Sequence, residues 1–177
     1  FPPVEQLPRV MEVELRVGPD GKSYMYYEGK QLGDALTDNR YEADGYRYHD
    51  IFHLTYMALL GWSPIIRGLL KRKRKSDQDV DEVEDGARAA ILEECVAALA
   101  FSQAERESFF RGVPTVRYEI LRAIKAMTNH LEVGVKTEGD WQRAILRSFE
   151  VWNQIRNQNG GRVRLDLVNQ TIEVLPE

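Results

Sequence analysis

Cysteine, long apolar runs and an excess of positive charge are all missing from this sequence. Its one cysteine, Cys95, has no partner for an internal disulfide, so a reducing compartment fits and the core must be assembled by packing alone. Cys95 falls on a small-residue helix, where a buried structural thiol is the expectation. No apolar stretch approaches the roughly 20 residues that span a bilayer, and no charged-apolar-small leader opens the chain. The expectation is a cytoplasmic protein with no membrane partner. With 24 Lys and Arg against 28 Asp and Glu, the formal net charge is −4, which removes the bulk positive potential that draws proteins to nucleic acid. The chain opens on Phe1 rather than methionine, with Pro2, Pro3 and Pro8 close behind; this reads as an excised piece whose N-terminal partner domain is elsewhere.

What is present is ordinary for a globular domain: 177 residues, 43% of them hydrophobic and 29% charged, enough chain to bury roughly two-thirds of its unfolded surface. We read a single domain over residues 1–177 in three parts: a β-hairpin and loop over 1–45, a helical bundle over 46–158, and a C-terminal β-hairpin over 159–177. Val10 to Val17 alternates apolar and polar residues, Gly18-Pro19-Asp20-Gly21 supplies a turn, and Lys22 to Tyr27 resumes an extended stretch. Gly29 to Gly45 reads as a long polar loop. Helices are expected over about 46–60, 64–74 (after Ser63-Pro64) and 80–106. Thr115 then caps another over about 115–131, with Tyr118, Leu121, Ile124 and Thr128 as its inner stripe. Thr137-Glu138-Gly139-Asp140 has capping-box spacing for a last helix that buries Trp141, Ile145, Phe149, Trp152 and Ile155. Gly160-Gly161 ends it, and Val163 to Val174 closes a hairpin. The fold class expected is mainly α, a helical bundle with small β-hairpins near both termini.

The chemistry concentrates in two stretches. Two of the three histidines, His49 and His53, stand one helical turn apart with Asp50 beside them. Extending helical period from Val83 through Ala87 and Ala90 puts Glu94 on an apolar face with Ala97 and Phe101, and a buried carboxylate demands a partner. His49 and His53 are the candidates. Histidines at this spacing can hold a divalent metal, and His49-Asp50-Ile51-Phe52-His53 resembles the zincin His-Glu-x-x-His pattern with a shorter acid. An HD-type phosphohydrolase needs a ligand histidine upstream, and none precedes His49. The bland alternative is a hydrogen-bonded network inside the bundle. Asp81, Glu82, Glu84 and Asp85 crowd the start of the same helix, where negative charge suits the dipole, and Glu82, Asp85 or Asp81 could complete an oxygen-rich Mg²⁺ site beside Glu93 and Glu94. Arg67 and Lys71-Arg72-Lys73-Arg74-Lys75 form an opposite pole, as a solvated face or as phosphate ligands. His130, after Asn129, reads as a cap or a solvent contact.

The runs Gly45 to Tyr56, Leu60 to Pro64, Lys71 to Lys75, Val80 to Arg88 and Ile91 to Glu94 resemble, over about 30–101, a domain of bacterial MazG-like nucleotide pyrophosphohydrolase proteins, often their C-terminal portion. The resemblance implies an all-α, commonly dimeric protein that cleaves nucleoside triphosphates to monophosphates and pyrophosphate. It implies Mg²⁺ held by a Glu-Glu-x-x-Glu helix and a later Glu-x-x-Asp helix. Glu93-Glu94 matches the first pair, but Ala97 stands at the third glutamate and no Glu-x-x-Asp follows. The reading is therefore a divergent, metal-dependent site. Glu93, Glu94, Asp85, His49 and His53 hold Mg²⁺, with Mn²⁺ as a substitute and Zn²⁺ a weaker candidate. His53, Asp50 and Glu93 serve catalysis, and Arg67 and Lys71 bind the phosphates of a nucleoside triphosphate. The alternative is a non-catalytic interaction or dimerisation module accompanying a catalytic domain.

Overall fold

The structure is a computed structural model and describes residues 1–176. Its strands are β1 (Val10–Val17), β2 (Ser23–Tyr27), β3 (Lys30–Leu36), β4 (Gly160–Asp166) and β5 (Thr171–Val174). Its helices are α1 (Asp50–Leu60), α2 (Pro64–Leu69), α3 (Gln78–Val83), α4 (Ala87–Arg106), α5 (Tyr118–Thr128) and α6 (Glu138–Asn157). The strands form one antiparallel sheet in the order β3-β2-β1-β4-β5. The expectation of a mainly α bundle with small terminal hairpins is therefore wrong; the fold is α+β, built on a five-stranded sheet. The cause is a long-range pairing that local pattern cannot reveal: β1 aligns with β4 from Val10↔Asp166 to Arg16↔Gly160, which fuses the two hairpins. Part of the stretch read as a polar loop also pairs, as β3 alongside β2.

Alternation in β1 gives the sheet two faces. Met11, Val13 and Leu15 point inward with Val163, Leu165 and Ile172, while Glu12, Arg16 and Arg164 face water. Helices α1 and α6 pack together and lie on the inner face against β4 and β5. Every residue of α1 is buried. The α6 stripe Trp141, Ile145, Phe149, Trp152 and Ile155 is core, closed by Phe52 and Phe101. The capping box forms between Thr137 and Asp140.

Three helix boundaries differ from the reading above, each for a local reason. The helix expected over 80–106 breaks at Glu84–Gly86 into α3 and α4. The tight approach there needs glycine, because a Cβ on Gly86 would lie 2.0 Å from the Glu82 carbonyl oxygen. The helix expected over 64–74 stops at Leu69, and the basic run continues as a turn that carries Lys71 at a φ of 57°. The α5 helix starts after Arg117 rather than Thr115, with no side-chain cap, and leaves Tyr118 exposed while Leu121, Ile124 and Thr128 are buried.

Candidate metal centre

The site begins with the phase of α4. The buried residues of α4 are Ala89, Glu93, Val96, Ala97, Ala100, Phe101, Gln103 and Ala104. Ala97 and Phe101 of the expected stripe are inside, but in the first turns, after the break at Glu84–Gly86, Ala89 and Glu93 take the places expected for Ala90 and Glu94. The buried carboxylate is therefore Glu93, at 0% exposure, while the Glu94 side chain is 48% exposed. The expectation that Glu94 is the buried member of the pair is corrected accordingly. Cys95, expected inside because its neighbours on the helix are small, is exposed, since it lies on the face of α4 turned away from the core.

Glu93 is compensated by the elements packed against α4. Its Oε1 accepts from His53 Nδ1 at 2.9 Å and from Ser63 Oγ at 2.7 Å, and its Oε2 accepts from the Ile65 N–H at 3.0 Å. Ser63 is the N-cap of α2 and accepts from Ile66 N at 3.0 Å, so the carboxylate sits where free backbone donors converge. Every lone pair that Glu93 uses points toward His53 and α2. It thus orients His53, and it is not one of the three residues whose ligand atoms cluster.

His53, itself fully buried, donates through Nδ1, since a carboxylate offers only acceptors. When the ring is neutral, its lone pair is therefore on Nε2. That atom is buried without a hydrogen-bond partner; Glu94 Oε1 lies 3.4 Å away, a charge contact whose alignment falls short of a hydrogen bond. His49 repeats the arrangement. Its Nδ1 lies 2.9 Å from the Tyr46 carbonyl oxygen, which can only accept, and its ring stacks on Tyr46 with centroids 4.6 Å apart. In the neutral form each imidazole would thus be held in one tautomer by its Nδ1 partner, the arrangement usual for metal-ligating histidines. His49, Asp50 and His53 each bring a ligand atom within 4.8 Å of the other two. Turn geometry accounts for it: His49 caps α1, Asp50 opens it, and His53 lies one turn on.

The electrostatics favour positive charge at the His53 ring, from which a metal would have to displace the Nε2 proton. Burial raises the Asp50 pKa, and the charges of His49 and His53 oppose that while Glu94 adds to it. Burial alone would lower the His53 pKa, but the adjoining Glu93 and Glu94 carboxylates push it up to about 10. In Glu94, burial raises the pKa, and the contact with His53 outweighs it and lowers the group overall. Burial, then the charges of Glu94, Asp44 and Asp50, raise Tyr46 to about 12.

The other residues named from sequence belong to a separate network. Asp85 is buried against Arg74, with NH2 to Oδ1 at 2.7 Å and the Arg74 backbone N–H to Oδ2 at 2.7 Å; Arg74 also holds Glu132 at 2.8 Å. Arg67 lies 3.8 Å from Asp85 and donates to the carbonyls of Glu5 and Arg72. Arg72 reaches Pro3 and Gln6, and Ser76 donates to Glu5. This network ties the N-terminal segment to the basic turn. Asp85 joins neither histidine, and Lys71 is exposed. Sequence reasoning missed Tyr46 as the acceptor that fixes His49, and missed Ser63 and Ile65 N–H as partners of Glu93. The Ser63-Pro64 helix start was the available signal for the latter.

Among the described residues, no helix is long and apolar enough to cross a membrane. No curated protein and no solved structure matches the chain. The sequence model of one family, the MazG C-terminal domain, does match, over residues 1–177. The match extends the likeness carried by residues 30–101 across the sheet at both ends, and the chain belongs to the MazG C-terminal domain family.

Proposed function

We propose that this domain binds a divalent metal ion through the Nε2 atoms of His49 and His53 and the Asp50 carboxylate, with Glu94 at the rim, and that the charged site takes the phosphate chain of a nucleotide. One observation carries the metal: the buried Nε2 of His53, without a hydrogen-bond partner and 3.4 Å from Glu94, on a ring that Glu93 orients through Nδ1 and that shares a ligand-atom cluster with His49 and Asp50. The family supports the nucleotide, and cleavage of a nucleoside triphosphate between its α and β phosphates is the activity the MazG resemblance implies.

Mg²⁺ fits this donor set poorly, because it prefers an all-oxygen octahedron. Two imidazoles with one or two carboxylates suit Mn²⁺ or Zn²⁺ better. A bound divalent ion would supply a positive charge for phosphate oxygens, and Arg67 and Lys71, engaged elsewhere or exposed, are not given that role. Glu93 acts as a positioning residue: it holds the His53 ring and keeps the Nδ1 proton in place. Glu94 contributes negative charge at the rim of the site, and the buried Asp50 carboxyl lies within it.

Titration of Mn²⁺ into metal-stripped protein should give one saturable event, lost in His53→Ala. A panel of ribo- and deoxyribonucleoside triphosphates should then bind only with metal, releasing pyrophosphate where turnover occurs. Metal binding without any nucleotide binding overturns the nucleotide half of the proposal. The interaction-module reading has its own support in Ile91, 62% exposed on α4, and it predicts a partner-dependent complex with no nucleotide binding.

A further inference from the structure

In the sheet order β3-β2-β1-β4-β5, strand β5 has a neighbour on one side only. The alternation of an antiparallel ladder tells which of its main-chain groups that neighbour uses. The Leu175 N–H donates to the Arg162 carbonyl at 2.8 Å, so Thr171, Glu173 and Leu175 turn toward β4, and Ile172 and Val174 turn their N–H and C=O groups away from it. The Ile172 carbonyl bears this out: Arg147 of α6 donates to it from Nε at 3.0 Å and from Nη2 at 2.5 Å. The Ile172 N–H and both main-chain groups of Val174 make no hydrogen bond among the described residues. Free edge groups of this kind are a template for another strand. A cleft of about 640 Å³ runs between this edge and α6, with Leu59, Leu146 and Ile172 among its walls and Arg143 and Arg147 beside them. Arg147 is neutralised by Glu150 at 2.7 Å. Glu173 borders the cleft too, but pairs in register with Arg164 on the outer face of the sheet. Arg143 is exposed and donates only a long hydrogen bond, 3.4 Å, to Gln170 Oε1, while Asp140, one turn back, is committed to the Thr137 cap. The positive charge left over in the cleft is therefore that of Arg143.

We propose that β5 accepts an extended acidic segment of a partner protein as a sixth strand of the sheet. Main-chain hydrogen bonds to Ile172 and Val174 supply affinity, and the side chains that enter the cleft supply selectivity. A peptide N–H takes over the Ile172 carbonyl from Arg147. Side chains of an added strand alternate between faces, so those turned toward α6 recur roughly every 7 Å. One of them is apolar, against Leu59 and Leu146, and the next is Asp or Glu, against Arg143. The partner's signature is thus an apolar residue two positions from an acidic one. None of the cleft residues belongs to the His49, Asp50 and His53 cluster, so this surface stands independently of the metal reading.

The probe is the peptide acetyl-Thr-Val-Thr-Glu-Thr-Val-Thr-amide, which puts valine and glutamate on one face when extended. Labelled and titrated into the whole protein by fluorescence anisotropy, it should saturate below about 1 mM, and its lysine counterpart should bind at least about tenfold more weakly. The Arg143→Glu variant should reverse that preference. Val174→Pro removes an outward N–H and no ladder bond, and should weaken the glutamate peptide several-fold. Hydrogen exchange at the Ile172 and Val174 amides should slow in the complex, with the rest of the amide spectrum showing each variant folded. Absence of saturation, equal affinity for the two peptides, or binding that leaves exchange at Ile172 and Val174 unchanged each overturns the assignment. Slowed exchange at both amides in the protein alone, growing with its own concentration, gives the edge to a second copy and overturns the peptide.

Discussion

Replacing Glu93 by glutamine removes one charge and changes one acceptor into a donor, at almost constant volume. Glu93 accepts three hydrogen bonds, from His53 Nδ1, Ser63 Oγ and Ile65 N–H. With the amide oxygen toward His53 and Ser63, the amide NH₂ faces the Ile65 N–H and strands a buried donor, at a cost of about 1–3 kcal/mol. With the oxygen toward Ile65, that donor is satisfied, Ser63 Oγ turns acceptor, and His53 must receive a hydrogen bond at Nδ1. The second orientation is favoured because it leaves no donor facing a donor. It moves the imidazole proton to Nε2, the atom assigned to the metal. Stability should fall by only about 1–2 kcal/mol, whereas metal affinity should fall about 10- to 100-fold, the usual effect of losing the group that orients a ligand histidine. Glu93→Ala should instead cost about 3–5 kcal/mol, because it leaves a buried polar cluster unpaired. Calorimetric Mn²⁺ titration measures the affinity, and long-range ¹H–¹⁵N correlation of the His53 ring reads the tautomer. A Glu93→Gln protein that binds Mn²⁺ as tightly as wild type, with His53 still protonated on Nδ1, refutes the reasoning.

Other perturbations separate the parts of the account. Arg74→Ala should destabilise by about 3–5 kcal/mol, because it strands the buried Asp85, yet leave Mn²⁺ affinity unchanged; a large affinity loss would place Asp85 in the metal site after all. Burial raises the Asp38 pKa, but hydrogen bonds from the Arg47 guanidinium and backbone outweigh it and hold the group at about 2. This folded-state value is depressed, so its stabilising contribution is present above pH ~4 and disappears as pH falls toward 2. Asp38→Asn should flatten that acid limb of the stability profile, and an unchanged limb would count against the pairing. For His53 the sign is opposite. Its folded pKa of about 10 lies above the unfolded value of ~6.5, so metal-free protein should lose stability as pH rises from about 6.5 through 10. Mn²⁺ should work against this trend, since it needs the deprotonated nitrogen; chemical denaturation at several pH values, with and without metal, measures both.

The sequence made most individual elements legible, because each announces itself locally. The Thr137–Asp140 capping box, the Trp141–Ile155 stripe and the β1 alternation all appear where their patterns place them. What it concealed was pairing at long range: nothing in Val10–Val17 identifies Gly160–Asp166 as its neighbour, so two hairpins read as separate ornaments are one sheet. Legibility at the site ended at a single helical step. The two carboxylates at 93 and 94 differ by about 100° of rotation, and the decision between them depended on a phase that the turn at Gly86 interrupts. The histidines and Asp50 come together because they share one helical turn, the scale at which spacing is informative. Asp85 and Arg67 were drawn toward that site by charge sign alone, and the Arg74 fork explains where their charges go.

In the proposed site His49 and His53, held at Nδ1 by Tyr46 and Glu93, bind a divalent ion together with the Asp50 carboxylate. Crystals of the protein soaked in Zn²⁺, with anomalous data collected on both sides of the zinc edge, test it most directly. One strong peak is expected at about 2.0–2.1 Å from the Nε2 atoms of His49 and His53 and within carboxylate reach of Asp50. A fully occupied peak elsewhere, or none at this cluster with both histidines hydrogen-bonded only to protein, contradicts it.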